Sequence, residues 1–450
     1  MRAALQQDAR VGTPIDVMAI DGIVTLEGDV DNLAAKRFAL MEAKKIAGVR
    51  GVIDKLSITP GTRFDADITA DIENRFNDSP FEAVRNLTAT VLGGTATLRG
   101  FVPSWAERNQ ANLLASEVNG VREVVNDVVI NYESIRPDRE IERDIRANFD
   151  RDVYLVGLPM TIQVHDGKVK LTGETGNLFA RDRATDEAWV NGVNFVQNDI
   201  QLTWWDNDGA RKEPAQPTDA ELAASVKEEL YQDLRVADPY EINVSCDRGD
   251  VTLAGTVPSY FQKTLAGRNA ADVVGVGWVT NYLQVQADRR SDKALENTAM
   301  NRLDSDALTA GQDIAVVMVN GKATLTGHTT TSTERHQAAD VVGAVPGVRS
   351  VTNHLEVDRT ALLNDASLQR NIQDRLSAHA MTRMAANDPD ISVDSGVVTL
   401  SGTVDSWSER NAAANLVFMT DGVLGLRNRI QVRGFSYPWD EWFESWYLIP

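Results

Sequence analysis

A seven-residue stretch recurs along the chain and restricts what it can fold into. VTLAGTV occupies residues 251–257 and VTLSGTV occupies residues 398–404. A shorter form, with two apolar residues alternating before a glycine, occurs six times at intervals of 72, 73, 82, 72 and 75 residues. Periods of this length are typical of arrays of one supersecondary unit. The six marker glycines are Gly28, Gly100, Gly173, Gly255, Gly327 and Gly402.

A second marker keeps the same register. The dipeptide Gly-Val follows each marker glycine at a distance of 19 or 20 residues. Two markers in register predict six copies of one unit. The second set of glycines is Gly48, Gly120, Gly192, Gly275, Gly347 and Gly422.

The residues around these markers predict the elements of one copy. In repeats 2 to 6, apolar residues spaced by four, as in Ile68, Ile72 and Phe76, indicate an amphipathic helix before the marker glycine. Turn pairs such as Asp166-Gly167 then join two short strands. A capping residue such as Ser104 starts a second helix. A third strand follows Gly-Val, whose glycine is predicted to close the helix in the left-handed conformation. The predicted unit is α-β-β-α-β.

The repeat fixes a domain plan for the chain. The polar linker at 205–219 accounts for the longest interval and predicts a hinge between two groups of three modules. The predicted domains are repeat 1 (1–58), repeat 2 (64–132), repeat 3 (137–204), repeat 4 (218–287), repeat 5 (291–357), repeat 6 (364–432) and an aromatic tail (433–450).

Composition narrows the function classes. The chain has 450 residues, 43% of them hydrophobic and 24% charged, which is typical of a soluble multi-domain protein. The net charge of -20 repels phosphate backbones, so nucleic acid is not a predicted partner. Cys246 is the single cysteine, which excludes an internal disulfide.

The repeated motifs resemble the BON domain, a small bacterial module. The matching residues are the V-x-L-x-G strand ends, VPSWAER at 102–108, VDSWSER at 404–410, and G-V-x-x-V-x-N before the last strand. The resemblance implies an α+β fold of six tandem αββαβ modules, each a three-stranded mixed sheet with two helices on one face. It also implies no known catalysis, and a role in binding phospholipid or envelope partners.

Repeat 1 departs from the pattern because Gly28 has only 27 residues ahead of it. Its first helix is therefore predicted to be very short or missing, and a missing helix would expose an apolar sheet face. The opening residues show no export signal, which predicts the cytoplasm, whereas the family resemblance implies the periplasm or envelope.

A cation recurs eight residues after each marker glycine, near the start of the second helix. One interpretation is a row of contacts for lipid phosphates or an acidic partner, and the alternative is local ion pairs or a solvated face. Trp105, Tyr260 and Trp407 in the same helix turn are either membrane anchors or contacts to the module's own sheet. The six cations are Lys36, Arg108, Arg181, Lys263, Arg335 and Arg410.

Nothing in the sequence predicts catalysis. Three of the five histidines, His328, His336 and His354, fall in repeat 5 without metal-ligand spacing, so no metal site is predicted. Phosphate-binding, nucleophile-elbow and zinc-protease motifs are missing from the sequence, so neither catalytic residues nor a cofactor is predicted.

The C-terminal segment GFSYPWDEWFESWYLIP is aromatic at helical spacing. A helix starting after Pro438 would present one aromatic face and an opposite acidic face. This face could lie on repeat 6, enter a membrane interface, or dock on repeat 1 of a second copy, which would generate a ring or filament. The aromatic residues are Trp439, Trp442, Phe443, Trp446 and Tyr447.

These patterns predict a non-enzymatic scaffold. The predicted partners are phospholipid or envelope components, with a role in stress protection. The alternative is a structural homopolymer, in which the chain's partner is itself through head-to-tail docking of the aromatic helix on repeat 1.

Overall fold

The computed structural model describes residues 15–59, 63–79, 81–132, 136–203, 217–233, 236, 239–286, 290–358, 364–379, 382 and 389–433. These residues confirm the predicted α+β fold of repeated αββαβ modules. The helices are α1 (Leu33–Lys45), α2 (Asp65–Asn77), α3 (Glu82–Arg85), α4 (Trp105–Ser116), α5 (Asp138–Arg151), α6 (Leu178–Glu187), α7 (Asp219–Gln232), α8 (Tyr260–Ala271), α9 (Asp292–Ser305), α10 (Ser332–Gly343), α11 (Asp365–Ala378) and α12 (Trp407–Phe418).

Each module contains a sheet whose central strand is the second one. That strand pairs antiparallel with the first strand and parallel with the third, so the second helix is the crossover between parallel neighbours. The third strand is interrupted in repeats 2 and 4. The strands are β1 (Asp16–Ile20), β2 (Ile23–Val30), β3 (Gly51–Ile58), β4 (Thr88–Leu92), β5 (Thr95–Arg99), β6 (Phe101–Val102), β7 (Glu123–Asn126), β8 (Val129–Ile130), β9 (Met160–His165), β10 (Lys168–Thr175), β11 (Phe195–Leu202), β12 (Ile242–Asp247), β13 (Asp250–Val257), β14 (Trp278–Asn281), β15 (Gln284–Val285), β16 (Asp313–Val319), β17 (Lys322–Thr329), β18 (Ser350–Val357), β19 (Asp390–Asp394), β20 (Val397–Val404) and β21 (Gly425–Val432).

Each module has its own apolar core between the sheet and its helices. The predicted helical stripe Ile68, Ile72 and Phe76 is buried in repeat 2 against Ala96 and Leu98 of the central strand. Alternation along the strand places every second residue on this inner face. The remaining strand residues form an outer face that the module's own helices do not cover.

The two marker glycines occupy positive-φ positions for different reasons. Gly327 has φ 121°, and a Cβ there would stand 2.0 Å from the carbonyl oxygen of Asp313 at the start of β16. The marker glycine thus allows two strand backbones to approach closely. Gly48 also has positive φ, but it lies three residues after α1 ends at Lys45, in the turn that leads to β3. It therefore shapes this turn and is not the helix cap that we predicted.

An aspartate at the start of the first helix ties that helix to the hairpin turn of its module. In repeat 3, the Asp138 carboxylate accepts hydrogen bonds from the backbone N–H groups of Asp166 (2.9 Å) and Gly167 (3.0 Å). These two bonds lower the pKa of Asp138. The corresponding residues in the other modules with a described first helix are Asp65, Asp219, Asp292 and Asp365.

We expect Asp138→Ala to lower the melting temperature at neutral pH and to have little effect in strong acid. A carboxylate with a lowered pKa stabilises the fold above its unfolded pKa of about 3.9, and this contribution is lost as pH falls through the folded pKa. Melting curves from neutral pH to about pH 2 measure the difference. Asp150→Ala, at an exposed position of the same helix, is the control. A difference that persists unchanged in acid would contradict this origin.

The first residue of each second helix contacts the next repeat, and these contacts close two rings. In the first ring, Leu33 packs on the core of repeat 2, Trp105 stacks on Trp189 of repeat 3 at 5.3 Å between ring centroids, and Leu178 enters the core of repeat 1. The cyclic order is 1 to 2, 2 to 3 and 3 to 1. A head-to-tail contact that returns to its starting module forms a closed ring.

Repeats 4 to 6 repeat this cyclic order. Tyr260 packs on the core of repeat 5, and the Ser332 hydroxyl donates to the carbonyl of Phe418 in repeat 6 at 2.7 Å. Trp407 closes the ring on Trp278 of repeat 4, with 4.4 Å between ring centroids. The chain thus forms two groups of three modules. The linker predicted as a hinge between them lies mostly outside the described residues.

Three backbone contacts join the two rings in pairs. Each contact joins the segment after a second helix in one ring to the segment after a first helix in the other. Repeat 1 meets repeat 6, repeat 2 meets repeat 5, and repeat 3 meets repeat 4. The paired residues are Ile46 with His379, Val118 with Asp306, and Asp152 with Val273.

The inner sheet face of repeat 1 is buried. Val24 and Leu26 on this face have 0% exposure. Helix α1 lies on the face, and Leu178 of repeat 3 and Ala378 of repeat 6 pack against the same core. Neighbouring repeats therefore contribute apolar side chains to this module. The predicted short or missing first helix lies in residues 1–14, outside the described residues.

Candidate binding surfaces

Ring formation directs the second helices toward neighbouring repeats and leaves the outer sheet faces to solvent. The outer face of repeat 1 is apolar. Met18, Ile20, Ile23 and Ile53 are exposed by 62%, 63%, 38% and 47%. The strand register places Ile20 beside Ile23, and Met18 and Ile53 on either side of Thr25. These four side chains form a continuous surface, called here the repeat 1 outer face.

The same positions are polar in some of the other modules. In repeat 4 they are occupied by Ser245, Asp247, Asp250 and Thr280. Repeats 2 and 5 also expose apolar side chains on this face: Leu92, Phe101, Val125 and Val129 in repeat 2, and Val317 and Val319 in repeat 5. An apolar surface that only some modules carry is not required by the fold, so the repeat 1 outer face is a candidate contact surface among the described residues.

Half of the predicted row of cations is bound to the modules' own third strands. Lys36 Nζ donates to the carbonyl of Leu56 at 2.7 Å and pairs with Asp54 at 2.9 Å. Arg108 and Arg410 each donate to two third-strand carbonyls at 2.7–3.2 Å. Arg410 also lies over the Trp407 ring, 4.6 Å from its centroid. These three cations thus make contacts within their own modules.

The other three cations vary in their surroundings. Arg335 donates to the carbonyl of Leu424 in repeat 6 at 3.4 Å, so it contributes to the ring. Burial lowers the pKa of Lys263 and of Arg335. Arg181 lies 3.6 Å from Asp182 on its own helix. The six cations therefore differ in their contacts and do not form one common surface.

The asparagine of the G-V-x-x-V-x-N motif holds the second helix to the third strand. The Asn353 amide donates to the backbone carbonyl of Arg335 at 2.7 Å, and its oxygen accepts from the N–H of Leu355 at 3.1 Å. The same pair of bonds recurs at Asn126, Asn198, Asn281 and Asn428. In repeat 1 the position is Asp54, which cannot donate and pairs with Lys36 instead.

The three aromatic residues at the start of second helices lie between modules. Trp105 stacks on Trp189, Tyr260 packs on repeat 5, and Trp407 meets Trp278. Neither alternative that we considered, a membrane anchor or a contact to the module's own sheet, included this arrangement. The repeat motif could not reveal it, because the residue at this position differs from module to module.

A buried polar network joins repeats 3, 4 and 6. The Arg183 guanidinium lies 2.7 Å from Asp152, 3.1 Å from Glu187 and 3.3 Å from Asp272. Ser408 of repeat 6 donates to Asp272 at 2.6 Å and lies 2.6 Å from the Tyr154 hydroxyl. These three carboxylates raise the pKa of Arg183 although burial opposes this shift. The network sets the relative position of three modules.

The groups that most resemble reactive chemistry are engaged in the fold. Cys246 donates to Asp219 at 3.2 Å, and burial together with this bond raises its pKa to about 12, so the thiolate needed of a nucleophile is suppressed. Asp138, His165 and Asp166 are a possible metal-ligand group in the described part of the chain. His165 and Asp166 are 90% and 83% exposed, and Asp138 already binds the hairpin turn.

The histidines of repeat 5 are not brought together in a metal-ligand group among the described residues. His328 lies 3.2 Å from Asp358, while His336 stacks on Phe418 of repeat 6. The aromatic tail residues Trp439, Trp442, Phe443, Trp446 and Tyr447 lie outside the described residues. In the described part of the chain, the helices are too short or too polar to span a bilayer.

The outer sheet faces lie in solvent, the second helices contact neighbouring repeats, and each module has its own core. These features define the class of protein as a tandem array of αββαβ modules closed into two rings. The BON domain model matches residues 1–60, 64–132, 137–203, 218–287, 291–359 and 364–434. These matches cover nearly the whole chain, and the chain belongs to the BON domain family. The resemblance noted from the repeated motifs is thereby confirmed.

Two kinds of relatives are similar to parts of the chain. Osmotically-inducible protein Y of Escherichia coli (strain K12) is 29% identical over 133 residues, which span 28% of this chain and 66% of that protein. Among solved structures, the type III secretion structural protein CdsD of Chlamydia trachomatis is 15% identical, with a TM-score of 0.14, over 50% of this chain and 94% of that one. The PrgH periplasmic domain is 13% identical, also with a TM-score of 0.14, over 44% of this chain and 98% of that one. At these TM-scores the likeness carries no argument about assembly.

Proposed function

We propose that this protein is a non-enzymatic scaffold of the bacterial envelope that contacts phospholipid or an envelope partner through the repeat 1 outer face. The observation that carries the proposal is the exposure of Met18, Ile20, Ile23 and Ile53 on a sheet whose inner face is already buried. A role in osmotic stress is supported by the name of the relative, which is osmotically inducible.

The physical basis of the contact is apolar burial. Burying a fully exposed side chain of this size contributes about 1.5–3 kcal/mol, and these four, which are 38–63% exposed, would each contribute roughly half of that. The net charge of -20 opposes anionic headgroups, so zwitterionic lipid is the favoured surface. Lys55 on the same outer face pairs with Glu27 at 3.6 Å, which leaves little positive charge to attract phosphate.

We expect Met18→Ser combined with Ile20→Ser and Ile53→Thr to reduce flotation with zwitterionic vesicles at least tenfold, since a loss of about 1.4 kcal/mol already gives that factor. Val317→Thr with Val319→Ser, on the outer face of repeat 5, is the matched control. All five residues are exposed, so the variants should keep the fold. If the repeat 1 variant floated as well as the unaltered protein, a lipid contact at this face would be contradicted. If the same variant lost capture of a protein partner but kept flotation, the face would be assigned to an envelope protein.

The alternative is a homopolymer in which the aromatic tail of one copy docks on repeat 1 of another. The exposed repeat 1 outer face supports it, because the inner face first considered for docking is buried. The size of the particles, measured by light scattering, separates the two proposals. The measurement compares the unaltered chain with a chain that ends at residue 437, each with and without the repeat 1 substitutions. Assembly lost with either change supports the homopolymer, and a constant size in all variants leaves the lipid contact as the single role of the face.

A further inference from the structure

The contact between repeats 3 and 4 contains more carboxyl groups than cations. The charged groups come from the ends of helices in both repeats. Repeat 3 contributes Arg151 and Asp152 at the end of helix α5, and Arg183, Asp186 and Glu187 on helix α6. Repeat 4 contributes Glu229 and Asp233 from helix α7 and its end, and Arg268 and Asp272 from helix α8 and its end. Tyr154 also faces the group. The close contacts between a guanidinium and a carboxyl group are Arg183 with Asp152, Glu187 and Asp272, and Arg151 with Glu229 at 3.5 Å.

Two guanidinium groups, those of Arg183 and Arg151, therefore lie within ion-pair distance of four carboxyl groups. These belong to Asp152, Glu187, Glu229 and Asp272. The side chains of Glu187 and Glu229 are 15% and 17% exposed, and that of Asp152 is 3% exposed. Arg268 stabilises Asp272 from a distance, whereas Asp186 and Asp233 add negative charge at the border. If every carboxyl were ionised, the contact would enclose uncompensated negative charge, which is costly at low dielectric constant.

Glu229 stands at a position that other modules use for a hydrogen-bond donor. The corresponding Arg302 and Arg375 donate to the last carbonyls of their second helices, Ala344 and Met419, at 3.0 and 2.9 Å. Asn148 does the same to Glu187 at 3.0 Å. A carboxylate cannot donate. Repeat 4 thus places an acid where the repeat pattern has a donor, and directs it toward repeat 3.

We propose that the repeat 3–repeat 4 contact is a proton-dependent latch between the two rings, closed while Glu187 and Glu229 are protonated and loosened when both ionise. A cavity of 230 Å³ borders both glutamates and Asp272, and gives water access to the protons. The latch does not depend on the proposed envelope role.

The direction of the pH effect follows from the enclosed carboxyls. Burial raises the pKa of Glu187 to about 8 and that of Glu229 to about 7, although Arg183 and Arg151 oppose the shifts. The open state restores the ordinary value of about 4.3. Closure therefore takes up protons: the latch is fully effective below about pH 4.3 and weakens as pH rises through the folded pKa values.

The amides of Val153 and Val274 report opening directly, because they donate across the contact to Asp272 and Arg151 at 3.0 and 2.8 Å. Amide hydrogen exchange, corrected for the intrinsic exchange rate, measures their opening constants. We expect these constants to rise by several hundredfold, roughly, between about pH 6 and about pH 8.5.

Glu187→Gln with Glu229→Gln mimics the protonated pair and should abolish this rise. Glu142→Gln with Glu228→Gln, at a half-exposed position of helix α5 and an exposed position of helix α7, is the matched control and should keep it. If the double variant fails to fold, Glu229→Gln alone should reduce the rise at least threefold. Opening constants that are independent of pH in the unaltered protein, or that rise equally in the glutamine variant, would overturn the latch.

Discussion

Arg183→Met is expected to lower the free energy of unfolding by about 3–5 kcal/mol, because it leaves enclosed carboxylates without their cation. Arg183 lies within 3.3 Å of three carboxyl groups from two modules. Its removal destabilises repeat 3 and its contact with repeat 4 together. Urea unfolding measures the loss.

The control for this prediction is a second arginine in repeat 3. Arg146 pairs with Glu142 at 2.9 Å, but the two side chains are 50% and 42% exposed. Exposed pairs of this spacing contribute about 0.3–0.5 kcal/mol, so Arg146→Met should be nearly neutral. If the two variants unfolded at the same urea concentration, burial would not be what makes Arg183 important.

Gly327→Ala is the second substitution with a large expected effect. The new Cβ would stand 2.0 Å from the backbone oxygen of Asp313, at φ 121°. An unfavourable φ costs about 1–3 kcal/mol. Displacing strand β16 costs about 1–3 kcal/mol more. We therefore expect repeat 5 to lose most of its stability.

The equivalent glycine of repeat 6 separates these two contributions. Gly402 has φ 135°, but the atom nearest to an added Cβ is Pro389 Cα at 3.4 Å. Gly402→Ala should carry the φ cost of about 1–3 kcal/mol without a backbone collision. Thermal melting of both variants makes the comparison, and equal losses would show that the close approach of β16 contributes nothing.

The sequence predicts the module because its determinants are local. The strand alternation, the glycine with positive φ and the helix stripe all lie within about 70 residues and recur six times, so each copy checks the others. The aspartate that ties helix to hairpin was visible in the same way, as an acid at a fixed offset in five copies. It was missed because its partners are backbone N–H groups some 28 residues away.

The closed rings could not be predicted from the repeats. The contact between neighbouring modules depends on the first residue of the second helix, where Leu33, Trp105, Tyr260 and Ser332 share no chemistry. Glu229 of the latch is likewise a departure from the repeat pattern. Alignment of the copies emphasises what they share, whereas the assembly depends on where they differ.

Because all six modules lie on one polypeptide, their sequences can differ from one another, whereas the subunits of a homohexamer are identical. In an assembly of identical subunits, the substitutions that make one sheet face apolar would appear six times and create six adhesive patches. Here Met18 and Ile53 appear once, and the same positions in repeat 4 remain polar. A covalent array can thus place an apolar sheet face on some of its modules and keep the same face polar on others.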